Sequence, residues 1–175
     1  MRFLNLSALR QRLPALQSRD FLIFWLGQFV SLIGTWMQST TLPYLAYRLS
    51  GRPFDLGLIG FANTLPTLFL AIPAGVFIER LDKRKIVLLM QTLMMLLAFL
   101  LASLALSGHI QMWHILTIAF SLGILNAIEI TARQAMLIEL VGRQALPNAI
   151  ALQSTIFNAA RVLGPSLAAP FLVFI

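Results

Sequence analysis

Apolar residues in this chain gather into five long runs, at about 21–47, 56–78, 86–106, 112–132 and 149–175, and the short stretches between them hold most of the charges. A helix rising 1.5 Å per residue needs about 20 apolar residues to cross a hydrocarbon core of about 30 Å, and each run is long enough. Backbone groups in lipid must be satisfied within their own segment, and there are no alternating ten-residue segments of the kind that build a membrane barrel. The runs are therefore predicted to be helices. The expected architecture is all-α: a polytopic membrane helix bundle of about five transmembrane helices over residues 21–175, led by a basic segment at 1–20.

Composition agrees with this pattern. Of 175 residues, 59% are hydrophobic and 11% charged, whereas a soluble domain is about a quarter charged. Most of the surface must then face a lipid bilayer. The net charge of +7 would suit a nucleic-acid binder only if the cations formed one solvated face following phosphates. Here they fall in clusters between apolar runs, so nucleic acid is not an expected partner.

Arg2, Arg10, Arg12 and Arg19 precede the first run, Arg80, Lys83, Arg84 and Lys85 join the second to the third, and Arg133 and Arg143 join the fourth to the fifth. These ten of the thirteen Lys and Arg residues share one side, which the positive-inside rule makes cytoplasmic. The N-terminus is predicted to be cytoplasmic and the chain to stop on the outer side, at Phe174-Ile175 within an apolar run. An odd number of spans with such a stop suggests a piece of a larger protein or a truncated product. The opening residues lack the long apolar core of a secretory signal.

There is no cysteine, which excludes disulfides, thiolate metal sites and Cys nucleophiles. His109 and His114, five residues apart, share a helix face poorly, so no metal site is expected. No nucleophile–base pair, paired carboxylates or phosphate-cradling glycine loop is visible. The chain is expected to be neither an enzyme nor the holder of a cofactor.

Polar residues inside the runs are the candidate functional positions. Gln28, Ser31, Thr35 and Gln38 step by three, four and three residues and share one helix face; Ser154, Asn158, Arg161 and Pro165 do the same in the last run. Such stripes turn inward in a membrane bundle. Gln28, Ser31, Thr35, Gln38, Asn158 and Arg161 are candidates for lining a polar path, the alternative being contacts that hold helices together. Arg161 lies about 18 Å along its run from Ala149 at 1.5 Å per residue, near mid-membrane. It either faces a central cavity, favouring anionic or polar ligands, or caps carbonyls of a neighbouring helix. Glu129 either pairs with Arg133 at i,i+4 or relays charge to the Glu79–Arg84 loop. Gly164-Pro165 is expected to bend its helix, because Pro removes a backbone hydrogen bond and Gly permits close packing. Asn63, Pro66 and Pro73 suggest local breaks in the second run. Met90, Met94 and Met95 are expected to be lipid-facing or packing surface.

The loop Gly75-Val76-Phe77-Ile78-Glu79-Arg80-Leu81-Asp82-Lys83-Arg84-Lys85 resembles the loop signature of the major facilitator superfamily. Glu79 stands where that family usually has Asp, and Asp82 where a turn Gly is common. The stretches Asn126–Ala135, Glu139–Val141, Asn148–Leu152 and Phe157–Pro165, together with Phe24–Gln28 and Gly34–Gln38, are similar to the branch of enterobactin-type siderophore exporters and macrolide-efflux proteins. Thr131 replaces a common Pro. Gly164-Pro165 is similar to the Gly-Pro element of antiporters, without its neighbouring Gly.

The resemblance implies a secondary transporter of the bacterial inner membrane, exporting small organic molecules such as drugs or siderophores by alternating access. Gly75, Glu79, Arg80, Asp82, Arg84 and Lys85 would form a conformational latch, and Glu129 and Arg133 a charge relay. The polar stripes would line the translocation path. The chain would be the N-terminal half, its partner the missing C-terminal half. The rival reading is a non-transporting membrane interaction protein or an inactive truncated product.

Overall fold

A computed structural model of the chain describes residues 14–172, with the backbone alone of Ala71 and Ile72. Arg2, Arg10 and Arg12 of the expected basic segment lie outside the described residues. The end of that segment is a 3-10 turn, Pro14–Gln17. Four helices follow: α1 Arg19–Ser50, α2 Pro53–Ile78, α3 Lys83–Leu106 and α4 Met112–Leu172.

Local chemistry sets the ends. Ser18 caps α1, its hydroxyl accepting from the Phe21 N–H at 3.3 Å, and Asp20 adds a carboxylate at the positive end of the helix dipole. Gly51 stops α1 at φ 64°, a left-handed torsion that costs glycine little, and returns its N–H to the Tyr47 carbonyl at 2.8 Å. Pro53 opens α2, where a missing N–H is tolerated. Asp82 caps α3.

The fourth and fifth runs are not separated by a loop over 133–148. The helix continues past Ala132 and breaks once, at Gly142 (φ 69°, ψ 171°), giving α4 two legs, 112–141 and 143–172. The physical reason lies in composition: the stretch is too polar to count as a span, yet it is rich in Ala, Met, Leu, Glu, Gln and Arg, the best helix formers. The helix also runs on through Gly164-Pro165, and α2 runs on through Pro66 and Pro73. Among the described residues, five helical rods therefore make up the bundle.

This is an all-α membrane helix bundle. Among the described residues, α1, α3 and α4 are each long and apolar enough to cross a membrane, and α2 has a single charge, Asp55, in its first turn. The outer surface carries Phe54, Phe77 and Leu106 at more than 70% exposure. Contiguous exposed apolar surface on this scale belongs against lipid.

The first leg of α4 is the hub. Ile115, Ile118, Ala119 and Leu122 pack against Leu42, Leu45 and Ala46 of α1, Ile59 of α2 and Met94 and Leu101 of α3. Ala132 and Met136 pack with Ile78 and Val87. The second leg lies along α1, with Ile156 and Ala160 against Leu32. Two glycines make these crossings close. A Cβ on Gly123 would collide with the Asn63 carbonyl of α2, and one on Gly164 with the Cβ of Trp36 on α1. Small residues at crossings are how membrane helices gain packing without a hydrophobic driving force.

Candidate functional site

Polar side chains that cannot be left alone in lipid must find one another. Glu129 is 4% exposed and Gln28 is also 4% exposed, each inside an otherwise apolar helix. The Arg133 Nε donates to both Glu129 oxygens, at 3.2 and 3.3 Å. The Gln28 amide nitrogen of α1 and the Gln91 amide nitrogen of α3 each donate to Glu129 Oε1 at 3.4 Å. Gln91 also donates to Gln28 Oε1 at 2.8 Å. One carboxylate thus gathers donors from three helices, which satisfies its charge where water is scarce. Glu129 pairs with Arg133, the simpler of its two expected roles. The contacts described for it do not reach the Glu79–Arg84 loop.

Cavities follow the polar face of α1 from this node in both directions. One of about 330 Å³ reaches from Gln28 and Gln91 to Asp20 and Arg84 at the basic end. One of about 160 Å³ lies between α1 and α4, lined by Ser31, Thr35, Trp36, Asn126, Glu129 and Arg133 among others. A third, about 210 Å³, continues past Thr35 and Gln38 to Asn63 and Asn126. A fourth, about 410 Å³, opens between Ser31, Gly34 and Gln38 of α1 and Gln91 and Met95 of α3. Gln28, Ser31, Thr35 and Gln38 each line at least two of them. Their hydroxyls are partly turned home: Thr35 donates to the Ser31 carbonyl at 3.1 Å, the usual way a membrane helix hides a hydroxyl.

Asn158 and Arg161 are placed differently. Both are exposed on the second leg of α4, and they are absent from the linings of these four cavities. The Asn158 amide donates to the Ser154 carbonyl at 2.8 Å. The Arg161 guanidinium lies 5.8 Å from the ring centre of Trp36, whose ring meets Phe157 edge-on at 5.4 Å. Gly164 presses on Trp36 as a contact point, and the marked departure from helical torsion in α4 is at Gly142.

At the basic end, the loop is fixed by two devices. Lys83 Nζ pairs with Glu139 of α4 at 2.8 Å and reaches the Glu79 carbonyl at 3.4 Å. Asp82 needs no glycine torsion: at φ −69° and ψ 100° it is an extended helix cap, accepting from the Lys85 N–H at 3.2 Å. Gly75 lies in ordinary contact with Thr131 of α4. Glu79, Arg80, Arg84 and Lys85 are exposed, and Lys85 Nζ lies 3.5 Å from Asp82.

The Lys85 N–H, reinforced by the Lys85 ammonium, holds the Asp82 carboxyl below the ordinary carboxylate range. A depressed folded value contributes stability above the unfolded pKa of about 3.9 and loses it as pH falls through the folded value. The thermal midpoint of the native chain is therefore expected to fall more between about pH 5 and pH 2 than that of Asp82→Asn, which keeps the cap but does not titrate. Equal slopes for the two would mean that this carboxylate contributes nothing.

Sequence reading missed Gln91 and the Lys83–Glu139 pair. Gln91 had a signal: it is a lone amide amid Ile86–Leu100. Glu139 had one too, as the sole carboxylate in a stretch expected to be a cationic link.

Comparison with known proteins places residues 11–175 in a family model described as transmembrane secretion effector. The Staphyloferrin A transporter of Staphylococcus aureus is 31% identical over 83% of this chain and 37% of its own length. The Multidrug efflux pump Tap of Mycolicibacterium fortuitum is 26% identical over 71% of this chain and 32% of its own. An uncharacterized MFS-type transporter, YfiS, of Bacillus subtilis is 22% identical over 81% of this chain and 33% of its own. The chain spans about a third of the length of these curated relatives. No solved structure matches it significantly.

Proposed function

Because this chain belongs to the transmembrane secretion effector family of major facilitator transporters, we propose that it forms the front part of a secondary exporter of small organic molecules working by alternating access. The continuous polar seam along α1 carries this reading. In a bundle whose outer surface is apolar, linked cavities lined by Gln28, Ser31, Thr35 and Gln38 provide the polar surroundings a solute needs to cross lipid. Its curated relatives include an efflux pump and a siderophore transporter by name, which supports small-molecule cargo. The remaining helices of the transporter would close the seam from the other side.

Orientation follows from charge. Lys83, Arg84, Lys85, Arg80, Arg19 and Arg143 cluster at one end of the rods, which the positive-inside rule makes cytoplasmic. In this reading the Lys83–Glu139 pair is the working contact of the latch. Glu139 is 60% exposed and Lys83 16%, so water can take over the glutamate when the pair opens, which suits an element that must release during each cycle. Gly75, Glu79, Arg80, Asp82, Arg84 and Lys85 shape the turn around it, and Glu129 with Arg133 holds the helices together behind it.

Both parts are testable in cells expressing the whole reading frame. These 175 residues lack cysteine, so in a frame freed of any cysteine elsewhere single cysteines report sidedness: one at Gly108 should react with an impermeant maleimide from outside, one at Lys85 only after permeabilisation. The reverse pattern would overturn the topology. For the latch, Lys83→Glu and Glu139→Lys should each lower energised dye efflux about tenfold, a barrier change of ~1.4 kcal/mol, with recovery in the double swap. Full efflux in both single variants would remove the latch role.

A further inference from the structure

The transporter reading leaves the charge of the cargo open, and the seam answers it. Of the six carboxylates in the chain, Asp20, Asp55, Glu79, Asp82 and Glu139 stand at or near helix ends or in loops, and Glu129 alone lies well inside a helix. Two cations, Arg133 and Arg161, lie inside helices. Glu129 is already engaged. It accepts from Gln28, Gln91 and Arg133, so it offers little to an incoming cation, and drawing it away would strand the donors it holds.

The positive groups are less committed. Arg133 uses its Nε on Glu129, which leaves the two terminal nitrogens of its planar fork for the 160 Å³ cavity it lines. Arg161 stands over Trp36, which lines the same cavity. Further amide donors without a partner among the described residues lie in this cavity or in those next to it. The Gln38 amide nitrogen is buried and unbonded, and it faces the two cavities that share Thr35 with this one. The Asn126 amide lines the cavity itself. Trp36 and Phe157 add apolar faces.

From this imbalance we propose that the seam takes organic anions, with a carboxylate-type group against Arg133 and an apolar or aromatic body against Trp36 and Phe157. This rests on the seam being the transport path. A guanidinium fork matches a carboxylate in geometry as well as charge, and the match strengthens where water is excluded. In the 160 Å³ cavity a lipophilic cation meets one carboxylate, Glu129, that is already engaged, and the open terminal nitrogens of Arg133; Asp20 lines a different cavity, with Arg84, at the basic end. The charge class of the cargo is thereby set by the open fork of Arg133 in the cavity, with Arg161 adding positive charge from outside the lining, over Trp36.

The test uses Trp36 as the reporter. In the 175-residue chain in lipid nanodiscs, Trp25→Phe and Trp113→Phe leave Trp36 as its single tryptophan. Benzoate, benzylammonium and benzyl alcohol then serve as ligands of matched body and different charge. Benzoate is expected to change Trp36 emission at about tenfold lower concentration than benzylammonium. Arg161→Gln, at an exposed position, should narrow that preference severalfold without unfolding the bundle. The double variant Glu129→Gln, Arg133→Gln keeps hydrogen bonding at the node and should abolish it. Equal or stronger response to benzylammonium would overturn the anion assignment while leaving a binding path intact. No response to any of the three would overturn the path itself, and with it the reading on which this assignment rests.

Discussion

Gly123→Ala is expected to cost about 2–3 kcal/mol of stability, and Gly123→Val to prevent assembly of the bundle, because the added carbon lands on backbone rather than on a flexible side chain. The Asn63 carbonyl of α2 occupies the space, with the Pro66 ring close behind. Two interhelical bonds depend on the same approach: the Asn63 amide donates to the Ala119 carbonyl at 3.1 Å, and the Thr67 hydroxyl to the Gly123 carbonyl at 3.3 Å. Backing α2 away from α4 would strain both at once. Gly34→Ala is the control, since its Cβ would meet nothing within 4 Å and alanine favours the helix by roughly 1 kcal/mol. Thermal midpoints in nanodiscs decide it. A Gly123→Ala chain as stable as Gly34→Ala would mean that the α2–α4 crossing is looser than described.

Glu129→Ala is the second large effect, expected at about 3 kcal/mol, because it leaves Arg133 inside the bundle without its counter-charge and frees Gln28 and Gln91 together. Glu129→Gln should cost less than half as much, since an amide oxygen still accepts from both glutamines. The node is cooperative across three helices, so Gln91→Leu and Glu129→Gln should not add: their coupling is expected near 1 kcal/mol in a double-mutant cycle. Strict additivity would show that Gln91 touches Glu129 without depending on it. The same cycle on Lys83 and Glu139, a pair open to water on the glutamate side, should return about 1 kcal/mol or less.

These contrasts show which features the sequence could declare. The runs of apolar residues announced helices because a single period of burial in lipid has one solution for the backbone, the internally bonded helix. The polar stripe of α1 was equally readable: spacing of three and four puts Gln28, Ser31, Thr35 and Gln38 on one face whatever they meet. Arg161 was harder. Its depth along the helix follows from counting, but the face it turns depends on where Trp36 stands, and that is a matter of how α1 and α4 cross. The stretch after the fourth run reads as a link between two runs because polarity rises there, whereas propensity keeps the chain helical up to Gly142.

By itself, then, the sequence determined the all-helical membrane fold, the charged end of the bundle, the capped and glycine-stopped helix ends, and the amphipathic face of α1. All are set by residues within a few positions of one another or by their transfer from water to lipid. Tertiary structure alone decided the partners. Glu129 could have met the loop cations or its own helix, and the arrival of Gln28 and Gln91 from two other helices settled it. Lys83 found the Glu139 carboxylate across the bundle as well as the Glu79 carbonyl beside it. In lipid a polar group must be satisfied, but which group satisfies it depends on distances across the bundle that no local spacing encodes.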